Sequence, residues 1–266
     1  MTILNDITLG QYFPAESFVH RLDPRTKMVT IFISIVALAF AHNYIELGFS
    51  FFLLCGIIFI SKIPPQLVFR NLKPFIWLFL ITLIFHLTLT SNGEIIGRIP
   101  YLGLEISKEG LAGGILYSVR LAEFVLWAAI LTLTTSPMEI TDALDRFFTP
   151  LKKLGLPTHE FVLMMTLALR FIPTLISEAD KIKKAQISRG ASFEGNIIQR
   201  VKSIIPLIIP LFISVFRRAD ELALAMDSRC YTGGKNRTSF KQLQFQLNDY
   251  LVFTGTCFYA VLFFLI

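Results

Sequence analysis

Charge is what this chain has least of. Only 17% of its 266 residues are charged, and the stretches Met28–Ile45, Pro74–Gly93 and Tyr250–Ile266 carry no charge at all. Each is about long enough to cross the ~30 Å hydrocarbon core of a bilayer, which takes ~17–25 residues. With 54% hydrophobic residues and 26 Phe, the chain reads as a membrane protein rather than a soluble domain. Cysteine is also scarce. Cys55, Cys230 and Cys257 form no CxxC pair, so no disulfide framework is implied. The four histidines, His20, His42, His86 and His159, are scattered without metal-ligand spacing. The first twenty-odd residues lack a basic start followed by an apolar core, so no cleavable signal is expected.

Catalytic motifs are missing as well. Gly233-Gly234-Lys235 comes nearest to a phosphate loop, but that motif needs glycine where Arg229 stands and Ser or Thr where Asn236 stands. No catalytic dyad, metal motif or dinucleotide fingerprint occurs elsewhere. The expectation is a non-enzymatic chain that binds no cofactor of its own, so that any uphill transport draws its energy from another polypeptide. The net charge of +6 does not point to nucleic acid, because the basic residues sit beside apolar spans, where membrane topology explains them.

What the chain does have is a series of spans separated by loops of opposite charge. Asp23 can cap a helix whose first position is Pro24, since proline's missing N–H is no loss there. That span covers about 24–41. A reversal at Ala41-His42-Asn43-Tyr44 leads to a second, about 45–61. The next loop carries Lys62, Arg70 and Lys73 with no acid, which places it, and the N-terminus, in the cytoplasm. A third span, about 74–90, leads to a loop from Ser91 to Glu109 with two basic and three acidic residues, read as outside. The fourth, about 110–133, contains Arg120 and Glu123, three apart on one helical face. Intramembrane charges are functional candidates by default, but this spacing suggests a mutually satisfied structural pair.

Ser136-Pro137-Met138-Glu139 is a helix start, with Ser136 as cap, Pro137 in the first position and Glu139 closing a capping box. Apolar residues then recur at helical spacing to Leu151, giving a short amphipathic helix, about 137–151. Beyond it come two copies of one pattern. Ala179-Asp180, Ala185 and Ser188-Arg189-Gly190 are followed forty residues later by Ala219-Asp220, Ala225 and Ser228-Arg229-Cys230. Each copy follows an apolar run interrupted by proline, Pro173 in the first and Pro206 and Pro210 in the second, where bends are expected. One arginine at a helix end has a bland explanation, hydrogen bonding to orphan carbonyls. Two matched small-Arg-small ends suggest two similar sockets for planar acidic partners.

Phe161–Ser177 and Ser203–Phe216 could be read as two further spans. Against this, Arg170 would sit near mid-membrane at about 2.5–3.5 kcal/mol. The second run is short and holds two prolines, and the loop between them would be outside with six basic residues against three acids. The two segments, about 158–189 and 196–229, therefore read as long cytoplasmic-side helices joined at Gly195-Asn196. A polar linker then leads to a fifth span, about 250–266, ending outside.

Two features together resemble a known family. His20-Arg21-Leu22-Asp23-Pro24-Arg25-Thr26-Lys27 is similar to the N-terminal signature of the transmembrane coupling (T) component of energy-coupling-factor transporters, the prokaryotic uptake systems for vitamins and metal ions. The paired Ser-Arg-small ends resemble that family's paired Ala-Arg-Gly motifs, and the resemblance covers the whole chain. It implies an all-α integral membrane protein of a prokaryotic cell membrane, without enzymatic activity, partnered by two ABC-type ATPase subunits that hold ATP and Mg. A separate substrate-binding membrane S component completes the importer. Carried over, Ser188, Arg189, Gly190, Ser228, Arg229 and Cys230 dock the ATPases. Serine replaces alanine in both motifs and Cys230 replaces glycine, which raises the question of how the chain turns at 230. The domain reading is a four-span region at 1–135, a coupling region at 136–232, and a linker with the fifth span at 233–266. The alternatives are a membrane enzyme acting on lipid phosphates and a self-sufficient carrier or channel.

Overall fold

A computed structural model describes residues 12–89, 95–99, 104–150, 155, 157–191, 196–233 and 245–265. Gly195, most of the linker from 233 to 249, and Leu151 lie outside the described residues, as do 90–94 and 100–103 of the loop after the third span. The elements in order are α1 (Phe18–Arg21), α2 (Pro24–Ala39), α3 (Tyr44–Ile60), α4 (Pro65–Leu72), α5 (Ile76–Leu89), β1 (Ile95–Ile99), β2 (Leu104–Ser107), α6 (Lys108–Thr134), α7 (Pro137–Phe148), α8 (Thr158–Ser188), α9 (Ile197–Asp227) and α10 (Leu247–Leu265). The architecture is that of an all-α membrane protein. Among the described residues, Pro65–Leu89, α6 and α8 are long and apolar enough to cross a membrane, and α3 and most of α10 are shorter apolar helices.

The chain divides into two units, with one break between Ser136 and Pro137. In the first unit α2 to α6 pack with α10. Its buried core includes Leu38, Leu54, Trp127, Ile130, Leu133 and Phe263. Long α6 is the post around which the others stand, burying Leu116, Glu123, Trp127, Ile130 and Thr134. Against α5 it approaches through glycine: a Cβ on Gly114 would come within 3.2 Å of the Leu83 carbonyl oxygen. Small residues let two apolar helices pack at short range where no hydrophobic force separates lipid from protein. Ser118 Oγ then donates to the Phe79 carbonyl across the seam at 3.1 Å.

Two elements in this unit go beyond the sequence reading. Pro64-Pro65 looked like loop, yet Pro65 occupies the first turn of α4, where proline is tolerated. Val68 is buried, and Leu67 and Leu72 pack on the core, so the third span is entered through a short amphipathic helix and a 3₁₀ turn at Lys73–Phe75. The stretch read only as an outside loop contains the antiparallel pair β1–β2, with Arg98 opposite Glu105 and an irregularity at Ile95/Gly97. Ladder hydrogen bonds there come from backbone pairing, which short, mixed-polarity segments do not announce.

One end of this unit is tied by buried charge. Asp23 caps α2 by accepting from Arg25 N, with Pro24 at the first position, and its carboxylate also holds the Arg25 guanidinium at 2.9 Å. Asp249, 2% exposed, accepts from Asp23 N at 2.9 Å and from Gln246 N at 2.8 Å. Lys27, equally buried, donates from Nζ to the His20 and Thr134 carbonyls, both at 3.0 Å. Phe13 N donates to the Leu133 carbonyl. The start of α2, the end of α6 and the start of α10 therefore share one end of the bundle. At the other, Tyr44 Oη on the first turn of α3 donates to Ala112 O near the start of α6 at 2.7 Å.

In the second unit α7 packs on α8 and α8 on α9. α8 and α9 are each 31 residues, about 46 Å at 1.5 Å per residue. Both run as helix through their prolines, Pro173 in α8 and Pro206 and Pro210 in α9. Each proline leaves one carbonyl without its usual donor. The exposed Ile204, Ile205, Ile208, Ile209, Phe212 and Phe216 make α9 unusually apolar on its outside.

The clasp at the bundle end predicts a graded response. Asp249→Ala strands the buried N–H of Asp23, at about 1–3 kcal/mol for a buried donor left unpaired, and releases the Gln246 N–H, which is nearer to water. Asp249→Asn, which keeps one acceptor oxygen, should lose less. Thermal unfolding of the purified full chain checks the order, and equal midpoints for wild type and Asp249→Ala would refute it.

Candidate functional site

The two Arg-bearing helix ends adopt one geometry. In α8, Arg189 is the C-cap and Gly190 follows with φ +85°. Gly190 N donates to Ile187 O at 2.9 Å and Ala191 N to Gln186 O at 3.0 Å. In α9, Arg229 precedes Cys230 at φ +56°, Cys230 N donates to Asp227 O at 2.9 Å, and Tyr231 N to Met226 O at 3.1 Å. Both are Schellman turns, in which the chain reverses through one left-handed residue and backbone amides satisfy the last carbonyls. The two bonds that close each turn match, donor and acceptor, forty residues on. Cys230 thus takes the conformation that glycine takes in the first copy.

The match continues into the helices. Arg218 on α9 pairs with Glu178 on α8 at 3.6 Å, and these two positions are also forty apart, each eleven residues before its tip arginine. Each tip therefore projects about 16 Å beyond the residue that ties the helices together. Ser188 Oγ folds back to Lys184 O and Ser228 Oγ to Ala225 O. The serine hydroxyls are spent within their own helices. Arg189 and Arg229 are exposed; their backbone N–H groups bond within their own helices, but among the described residues neither guanidinium forms an ion pair. What the tips offer outward is two guanidinium forks, each beside a small residue.

The remaining candidate residues lie apart from the tips. Asp23 and Pro24 start α2 and belong to the buried clasp. Pro137 opens α7 directly after Ser136. Arg120 and Glu123, expected to pair, do not. The Arg120 guanidinium lies over the Tyr117 ring at 4.9 Å, and Tyr117 in turn stacks on His86 of α5 at 4.5 Å. Glu123 is 1% exposed, and its carboxylate oxygens have no hydrogen-bond partner. Residues three apart on a helix stand about 60° apart around its axis. That angle separates a side chain drawn to the α5 aromatic seam from one on the buried stripe. Lys27 and Asp249 went unrecognised as a pair of anchors, although an unpaired acid at the start of an apolar span was a usable signal.

The left-handed turns make a stability prediction. A residue with a Cβ in that region costs about 1–2 kcal/mol, and the space around Gly190 is open, so only backbone strain is at issue. Cys230→Gly should raise stability by about 1 kcal/mol and Gly190→Ala should lower it by a similar amount. Opposite shifts in the unfolding midpoint of the full chain are the expected reading. Shifts of the same sign would contradict it.

The model of the cobalt transport protein (CbiQ) family matches residues 15–240 of the chain. Several curated proteins match over nearly their whole length. The energy-coupling factor transporter transmembrane protein EcfT of Bacillus subtilis (strain 168) is 42% identical over 263 residues, covering 98% of each chain. The protein of that name from Staphylococcus aureus (strain 04-02981) is 41% identical over 263 residues, 98% of this chain and 97% of its own. That of Heliobacterium modesticaldum (strain ATCC 51547 / Ice1) is 46% identical over 253 residues, 94% of this chain and 93% of its own. With matched helix ends at both tips and similarity along almost all its length, the chain belongs to this family of energy-coupling factor transporter transmembrane proteins.

Proposed function

We propose that the chain is the coupling subunit of an ATP-driven importer, transmitting movement from two ABC-type ATPase subunits to a substrate-binding membrane S component. The observation that carries this reading is the pair of superimposable helix ends, each presenting an exposed arginine that its own helix does not use. Arginine suits planar, bidentate contact with a carboxylate, and two equivalent tips suit two equivalent sockets. A rigid helix of about 46 Å can carry displacement from such a socket to the apolar surface along its length. Nucleotide and Mg are assigned to the ATPases, and this chain is assigned no catalytic step. The substrate class, vitamins or other micronutrients, is assigned to the S component.

The reading also sets an orientation in a prokaryotic cell membrane. The end where α2 starts, α6 ends and α10 starts is assigned to the cytoplasm, because the loop with Lys62, Arg70 and Lys73 follows the positive-inside rule there. α8 is long and apolar enough to cross, but crossing would put Arg170 in the hydrocarbon core at about 2.5–3.5 kcal/mol. It is assigned to the cytoplasmic side. A topology reporter fused after Ile266 should then behave as extracytoplasmic. Cytoplasmic behaviour would refute the odd number of crossings.

The tips supply the functional test. Truncating one partner of a desolvated, hydrogen-bonded charge pair typically costs about 2–5 kcal/mol. Arg189→Ala or Arg229→Ala alone should leave an assembled module, since the other tip keeps the effective concentration high. The double change should shed ATPase subunits, and transport should fall in all three variants. Lysine at either position should rescue in part, keeping the charge without the fork. ATPase subunits retained on the affinity-purified double variant, measured with uptake, decide the matter; full retention with normal uptake would remove the docking role.

A further inference from the structure

One polar cluster in the helical bundle takes no part in the clasp or the tips. Glu123 on α6, Ser50 on α3, Trp127 one turn along α6 and Tyr259 on α10 are all at least 96% buried. The Glu123 carboxyl oxygens, Ser50 Oγ, Trp127 Nε1 and Tyr259 Oη lack any hydrogen-bond partner. Ser50 is the polar neighbour of both Glu123 and Tyr259. Beside them lies a cavity of about 280 Å³ with Trp127 and Tyr259 in its wall. Its wall is mainly apolar and Glu123 does not line it, so the carboxyl has only the polar groups of the cluster itself to turn to.

Among the described residues no cation pairs with the carboxyl. Arg120 lies over Tyr117, and Lys27 of α2 is held by the His20 and Thr134 carbonyls. His86 of α5 stacks on Tyr117 with Nδ1 against the Thr82 carbonyl. Arg70 of α4 is exposed. The nearby acids are engaged too: Glu46 of α3 accepts from His42 N at its own helix start, and Asp249 of α10 accepts from Asp23 N. A carboxylate buried without a cation pays several kcal/mol of desolvation. A carboxylic acid, donor and acceptor at once, completes the cluster without that cost.

We infer that Glu123, Ser50 and Tyr259 form a proton-binding site in which Glu123 stands as the uncharged acid. In that form the carboxyl offers an O–H to Ser50 Oγ and a C=O to the Tyr259 O–H, so each of these groups has a complement within the cluster. Losing that proton would leave a bare charge among α3, α6 and α10, so the protonation state is tied to how closely those three helices pack.

Infrared spectroscopy of the purified full chain in lipid nanodiscs reads this directly. Wild type should show a protonated-carboxyl C=O band that Glu123→Gln removes and Tyr259→Phe shifts. Absence of any acid band lost in Glu123→Gln overturns the proposal, as does loss of a carboxylate band in its place. If Glu123→Gln fails to fold, Tyr259→Phe and Ser50→Ala take over: a displaced acid band supports the site, and an unmoved one refutes it.

Discussion

A helix end leaves four amide hydrogens or four carbonyls that the helix itself cannot satisfy, and in a chain this apolar the treatment of those ends determines the rest. At one end of the bundle they are met by buried charge. Asp249 takes Asp23 N, Asp23 takes Arg25 N, and the Lys27 ammonium reaches the carbonyl of Thr134. Two acids and two bases thereby join segments more than a hundred residues apart in sequence. Such a cluster is costly to bury and worse to break. Its yield is register: α2, α6 and α10 are held at a common level, and the basic N-terminal signature is the part of the sequence that does it.

At the tips of α8 and α9 the same constraint is met by backbone alone. The reversal through Gly190 and Cys230 returns amides to the last carbonyls, so no side chain is needed there. An arginine placed as a cap would be expected to help neutralise the helix end, worth roughly 0.3–1 kcal/mol when exposed. Here it has little left to bond within its own helix.

The patterns that sequence exposes are those with a local cause. Asp23-Pro24 and Ser136-Pro137 mark helix starts because a cap and a proline at the first position act within a few residues. The forty-residue repeat is visible as matched triplets, and the structure extends it to the Glu178–Arg218 pair and to the two bonds that close each turn. Interactions with distant causes were not readable. Nothing near Asp249 signals that its partner is Asp23, and α4 shows as helix only once Val68 has a core to enter. Arg120 and Glu123 looked like partners by spacing. Tyr117 and the buried stripe of α6 compete for them, and both competitors depend on how α5 and α3 pack.

Cys230 shows how far a position can drift from its pattern before geometry objects. Its left-handed turn is made without glycine, at a backbone cost of about 1–2 kcal/mol. A helix free to end by fraying would avoid that strain. Retaining it places Arg229 at the same step of the same turn as Arg189, with Tyr231 returning along the helix as Ala191 does. Strain at one tip that reproduces the turn of the other is what two equivalent sockets, as proposed above, would select, since helix stability alone would favour relaxing the turn.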